Sequence, residues 1–149
     1  MHLAAQSLAT ISDEFVLEIS HLGILSALLS ELGGDETFGK AVSQCIAEKN
    51  EHDLMRLYRE NGVSEEKTAK ICSFVGIYGD MRSVTEKLGQ ICETDEGKAA
   101  LAELRKLEEL LETTEFADKI FLDFSIVNDM NYYNGIVFKG FINGIYEGV

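Results

Sequence analysis

Between Asn128 and Gly135 the chain carries Asn128, Asp129, Asn131, Tyr132, Tyr133 and Asn134, a run of hydrogen-bonding side chains with hardly an interruption. Amides offer a donor and an acceptor each and phenols do both, so such a run suits a small polar ligand held at the rim of a sheet. The chemistry this implies is recognition. A plain turn explains part of the same stretch: Asn134-Gly135 is a strong two-residue hairpin signal, because both residues tolerate the positive φ of a type I′ turn. The paired tyrosines lie outside that explanation. Adjacent strand residues point to opposite faces, so packing would send one of Tyr132 and Tyr133 to the core and the other to the surface.

Strands must hold this bend. The chain alternates and is rich in β-formers up to Val127, and does so again from Ile136 to Ile142, which predicts a strand on each side and a short bend over Asn128 to Gly135. Ile120, Leu122, Phe124 and Ile126 should face a helix layer, with Phe121, Asp123, Ser125 and Val127 on the opposite face. The partner strand, Ile136 to Ile142, should bring Lys139 near that second face and end at Asn143-Gly144.

The run Ile126-Val-Asn-Asp-Met-Asn-Tyr-Tyr-Asn-Gly-Ile-Val-Phe138 resembles the second histidine-binding motif of histidyl-tRNA synthetases, written Val-Arg-Gly-Leu-Asp-Tyr-Tyr-Thr-Gly-x-Val-Phe. In the register set by Tyr-Tyr-x-Gly-x-Val-Phe, the motif's arginine falls on Asn128 and its aspartate on Asn131. Asparagine cannot supply the fixed positive charge that neutralises a developing phosphate or carboxylate charge, which argues against an aminoacylating site. That pattern is similar to the synthetase-like regulatory subunit of ATP phosphoribosyltransferase, a non-catalytic relative. Phe15-Val-Leu-Glu-Ile-Ser-His-Leu-Gly-Ile-Leu-Ser-Ala-Leu-Leu29 resembles the strand and helix that follow the second class II motif in both groups, a β-run and then His or Asn, Leu or Val, Gly.

The resemblance implies an α+β fold: part of a class II synthetase-like antiparallel sheet, about three strands, with an inserted helical subdomain. Residues 1–34 and 115–149 would belong to the synthetase-like core and 35–114 to the insertion. Complete members are considerably longer, with motifs before residue 1 and a Gly-Gly-Arg- or Gly-Gly-Gln-like motif after Val149, so the chain is expected to be a piece of such a domain. The resemblance also implies no catalytic residue, no cofactor, histidine as effector, a short-form catalytic ATP phosphoribosyltransferase subunit as partner, and a homo-oligomer. Tyr132 and Tyr133 would contact histidine, one hydroxyl bonding an imidazole nitrogen. Gly135 would allow close backbone approach, and Asn128 and Asn131 would complete the site. A fragment of an active histidyl-tRNA synthetase and a helical protein-interaction module without ligand are the competing readings.

Composition bounds these readings. With 149 residues and 46% hydrophobic side chains the chain can bury one modest core. A net charge of −13 disfavours a phosphate-backbone footprint, so direct nucleic-acid binding is not expected. Nine acids against three bases between Glu93 and Asp118 read as a solvated helix face. Cys45, Cys72 and Cys92 are widely spaced and odd in number, which indicates free thiols rather than a disulfide framework or zinc site. No run approaches the ~20 apolar residues of a membrane span and no basic leader precedes one, so a cytoplasmic protein is expected.

In chain order, residues 2–11 read as helix with Leu3, Ala4 and Leu8 on one side. Phe15, Leu17 and Ile19 share one strand face, with Val16 and Glu18 on the other. Ser20 is a candidate cap for a helix bearing Leu22, Leu25, Leu28, Leu29 and Leu32, which Gly33-Gly34 ends. Four or five helices follow between Asp35 and Thr114. Asp35 and Ser64 are candidate caps, Asn61-Gly62 is a break, and one helix is expected to carry Ile71, Phe74, Val75 and Tyr78 and to close at Gly79-Asp80. His21 reads as a packed or capping residue, since no nearby Ser, Cys or acid completes a catalytic constellation.

Overall fold

The computed structural model describes residues 1–126 and 135–142. Helix α1 (His2–Ala9) leads to β1 (Phe15–His21), which passes directly into α2 (Leu22–Leu32). Then come α3 (Glu36–Ala47), α4 (Glu51–Glu60), α5 (Glu65–Phe74), a short β2 (Tyr78–Asp80), α6 (Met81–Ile91), α7 (Asp95–Glu112), a 3₁₀ turn at Ala117–Lys119, β3 (Ile120–Asp123) and β4 (Ile136–Ile142).

Alternation in β1 decides the layering. Phe15, Leu17 and Ile19 are buried, and Leu17 and Ile19 are fully so, whereas Val16 and Glu18 on the other face are only partly covered. The covered face extends through Ile120 and Leu122 of β3 and Ile142 of β4, and packs on Leu25, Leu28, Leu101 and Leu104 of the helices in one continuous core. That core also takes in Val42, Leu54, Tyr58 and Phe74, so the helices of 35–114 share it with the sheet. In α1 the buried side chains are Ala5 and Leu8, while Leu3 is 78% exposed, which corrects the expected apolar side by one position.

The sheet has four described strands in the order β2-β3-β1-β4. The α+β class and the synthetase-like sheet are as expected, but β1 and β3 run parallel, Leu17 opposite Ile120 and Ile19 opposite Leu122. The last strand pairs antiparallel with β1, from Phe15 opposite Ile142 to His21 opposite Ile136, and not with β3 as the hairpin reading required. A two-residue turn cannot step across an intervening strand. Tyr78–Asp80, expected at a helix end, instead forms a strand that pairs with β3, Tyr78 opposite Asp123. Helix α5 stops at Phe74, and Gly76 in the left-handed region (φ 77°) turns the chain outward so that Tyr78 can reach the sheet.

Capping accounts for most helix starts. Asp35, Asn50, Ser64, Asp80 and Thr94 each accept a backbone N–H from the following turn. At α2 the cap is His21, not Ser20: imidazole Nδ1 accepts the Gly23 N–H at 3.2 Å, while Nε2 lies 3.2 Å from a carboxylate oxygen of Glu103 on α7. With Nδ1 accepting, Nε2 carries the proton and donates to Glu103. The ring folds back so closely that a Cβ on Gly23 would stand 2.9 Å from His21 Cε1. Hence the His-Leu-Gly order, in which the glycine makes room for the cap. Asparagine, the other residue the resemblance puts at this position, offers an acceptor of the same kind.

Replacing His21 by Ala should therefore lower stability by about 1–2 kcal/mol, the usual loss for a helix N-cap. His21→Asn should retain most of it, as measured by the midpoint of urea unfolding followed by circular dichroism.

Candidate functional site

The face of the sheet turned away from the core carries the polar side chains. Glu18 of β1 stands opposite Phe121 of β3 on one side and Lys139 of β4 on the other. Asp123 ends β3 opposite Tyr78 of β2. The Tyr78 and Phe121 rings stack with centroids 5.6 Å apart and an interplanar angle of 2°. Above them Lys49, just past the end of α3, sets its ammonium 3.0 Å from Asp123 Oδ2 and 5.5 Å from the centre of the Tyr78 ring. Two acids, two bases and two aromatic rings thus share one side of a small sheet.

Asp123 is the most enclosed charge among them, 5% exposed. Burial alone would raise its pKa, but the hydrogen bonds from Ser125 and the Lys49 ammonium outweigh it and hold the carboxyl below the ordinary aspartate value. Oδ1 accepts the Ser125 N–H at 2.8 Å while Oδ2 takes Lys49. This Asx turn ends β3 at Asp123, short of the expected strand end at Val127. Glu18 is displaced the other way. Partial burial and the neighbouring Asp123 charge raise its pKa, against the opposing pull of Lys49, the Tyr78 hydroxyl and Lys139. Tyr78 is raised as well, by burial and by the charges of Glu18 and Asp123.

Lys49 reaches Asp123 from a strained position. Its φ of 53° makes it the one non-glycine residue with positive φ among those described. The Asn50 N–H bonds the Cys45 carbonyl at 2.8 Å and the Lys49 N–H bonds that of Ile46 at 3.0 Å, the two bonds of a Schellman C-cap whose left-handed position normally holds glycine.

Of the expected site residues, Asn128, Asn131, Tyr132 and Tyr133 lie outside the described residues. Gly135 is described. Its φ of 131° is glycine territory, and its carbonyl accepts the Leu22 N–H at 2.8 Å, tying the start of β4 to the first turn of α2 beside His21. Close backbone approach at Gly135 is thus made to α2. Asp123 lies on the open face as the alternation predicted, and Lys139 reaches the same face through β1. Lys49 and Tyr78 were missed. The trace each left in the sequence was slight: a Lys-Asn pair where a helix stops, and glycines at 76 and 79 around a lone tyrosine.

A separate groove of about 600 Å³ between α4 and α5 is lined by Glu51, Met55, Arg59, Val63 and Cys72 among others, on α4, α5 and the turn between them. Burial, and then Glu51, push the Cys72 thiol up, so it offers no ready nucleophile.

The model of the histidyl-tRNA synthetase family matches residues 1–149. The chain belongs to the histidyl-tRNA synthetase family. It is 31% identical over 130 residues to an ATP phosphoribosyltransferase regulatory subunit of Halalkalibacterium halodurans, covering 87% of this chain and 32% of that protein. A second such subunit, from Bacillus pumilus, is 28% identical over 133 residues, 89% of this chain and 34% of that protein. The chain therefore spans about a third of the length of these curated relatives.

Among solved structures, one described as an ATP phosphoribosyltransferase regulatory subunit/histidyl-tRNA synthetase from Bacillus halodurans superposes with a TM-score of 0.84 at 29% identity, over 99% of this chain and 38% of that one. Histidyl-tRNA synthetase from Nostoc gives a TM-score of 0.71 at 25% identity, covering 94% of this chain and 36% of that one. A chain of the ATP phosphoribosyl transferase complex from Thermotoga maritima gives 0.70 at 16% identity, over 95% and 49%, a likeness of fold alone. The class II synthetase-like architecture follows from these matches.

Opposite pKa displacements on one face give opposite pH responses. A depressed aspartate contributes stability above its unfolded value, about pH 4, and loses it as pH falls toward the folded value. Asp123→Asn should thus cost stability at pH 7, with the deficit shrinking below about pH 4. A raised glutamate costs stability once pH exceeds its unfolded value, so Glu18→Gln should raise the melting temperature at pH 7 and lose that advantage in acid. Thermal unfolding of both variants across pH 3–8, a range spanning roughly both carboxyl values, checks the pair of signs.

Proposed function

We propose that this chain is part of a non-catalytic regulatory subunit of ATP phosphoribosyltransferase, one that binds histidine and thereby regulates a short-form catalytic subunit in the first step of histidine biosynthesis. The observation that carries this reading is Asn128. The Tyr-Tyr-Asn-Gly-Ile-Val-Phe run is kept, yet the position of the synthetase arginine holds an uncharged amide, so recognition can survive where charge neutralisation in amino-acid activation does not. The names of the curated relatives agree with it.

The geometry is compatible with a small zwitterion. Lys139 brings positive charge to the open face and Glu18 negative charge, beside the Lys49–Asp123 pair, so an amino acid meets both signs within one sheet. Tyr132 and Tyr133 are assigned the imidazole contacts, with Asn128, Asn131 and Gly135 lining the same site. Feedback is then linkage: histidine binds one state of the assembly with the catalytic subunit more tightly than the other and shifts the balance between them. The assembly is a homo-oligomer of regulatory subunits with catalytic subunits bound, working in the cytoplasm. Among the described residues no helix is long and apolar enough to cross a membrane.

Calorimetric titration of the full-length protein with histidine tests this reading. Histidine should bind without forming adenylate in the presence of ATP, and Tyr132→Phe or Tyr133→Phe should weaken binding by about 1–3 kcal/mol through the bond left unmade. Histidine-dependent adenylate formation by the unaltered protein would make it a synthetase instead. No heat with histidine, together with capture of a protein by the helices of 35–114, would favour the interaction module.

A further inference from the structure

The contact between Lys49 and Asp123 joins two parts of the chain that the fold does not otherwise oblige to meet through a charge. Lys49 belongs to the α3–α4 junction and Asp123 to the last position of β3, directly before the segment that runs on to Tyr132 and Tyr133. We infer that Lys49 is a positioning residue: through Asp123 it fixes the exit of β3, and so the geometry from which the tyrosine segment departs.

Three observations meet here. The first is strain accepted for position. Lys49 occupies the left-handed position of a Schellman motif, where a side chain costs free energy that glycine would not. Its ammonium is spent on Asp123 instead of lying free in solvent. The second is the division of the Asp123 carboxylate. Oδ2 takes Lys49, and Oδ1 takes the Ser125 N–H that turns the chain out of the strand, so one buried group connects the α3–α4 junction to the turn. The third is the surrounding support. Tyr78, also from the stretch between the core segments, pairs with Asp123 across the ladder, stacks on Phe121 and lies under the Lys49 ammonium.

An ordinary ion pair between exposed side chains would carry little weight. Here one member is buried, and removing its partner leaves a carboxylate with fewer hydrogen bonds in a poorly solvated place. The turn at Ser125 then has to choose between holding that carboxylate and releasing it to water. Lys49 removes the choice.

This inference rests on the proposed histidine site, and its test is built so that the two fail separately. Lys49→Gly relieves the left-handed strain and removes the charge, Lys49→Met keeps the strain and removes the charge, and Lys49→Arg keeps both. In the full-length protein, amide hydrogen exchange at Ser125 and Ile126 should quicken about tenfold in the Gly and Met variants and stay near the unaltered rate in the Arg variant, with the histidine dissociation constant following the same order. A merely structural lysine would make exchange at these amides follow global stability, so the Gly variant, relieved of strain, would exchange more slowly than the Met variant. Exchange at Ser125 unchanged in both Gly and Met variants would overturn the assignment whatever histidine does. If the unaltered protein binds no histidine, the proposed site fails, and the exchange rates still decide whether Lys49 holds the turn.

Discussion

Everything in this molecule depends on β1 being paired on both edges and covered on one face. Leu17 and Ile19 are wholly excluded from water, β3 runs parallel along one edge and β4 antiparallel along the other, and the helices lie on the side those residues choose. Because side chains alternate strictly, burying Leu17 and Ile19 compels Glu18 to face away, and the strands in register with it must present Phe121, Asp123 and Lys139 to the same open side. The polar face is thus a by-product of where the core sits, and its chemistry is whatever the sequence put at the odd-face positions.

Paired strands alone would leave that face flat and solvated. What gives it shape is material from the helical stretch: Tyr78 extends the sheet beyond β3 and Lys49 arches over it, closing a mixed-charge patch in which the Asp123 pKa is lowered by Ser125 and Lys49 and that of Glu18 is raised by burial and Asp123. The opposite end of β1 contributes order of another kind. There His21, Gly23 and Gly135 knit the strand end, the start of α2 and the start of β4 into one hydrogen-bonded corner.

Much of this was legible beforehand wherever the signal was local. Asp35 and Ser64 cap the helices they were expected to cap, because a short oxygen-bearing side chain before an acidic first turn acts within one turn of its own backbone. Alternation named the buried face of β1, since two-residue periodicity leaves no second solution. Misreadings arose where the outcome depended on distant partners. Tyr78 has helical spacing from Phe74 and Val75, yet Gly76 and an open sheet edge won it for β2. Ser20 is by composition a better cap than His21, but the imidazole is long enough to reach both Gly23 and Glu103, and the serine hydroxyl is left buried without a partner among the described residues.

The sequence by itself carried the resemblance to the family through its tyrosine run, and residue types and spacing determined the helical middle and the apolar face of the sheet, because each is written in neighbours a few positions apart. Only the tertiary structure decided that β4 lies beside β1 instead of β3, that the central pair is parallel, and that Lys49 meets Asp123. Strand order is a choice among edges that look alike in one dimension, and an ion pair across 74 positions is invisible until the core has brought its ends together.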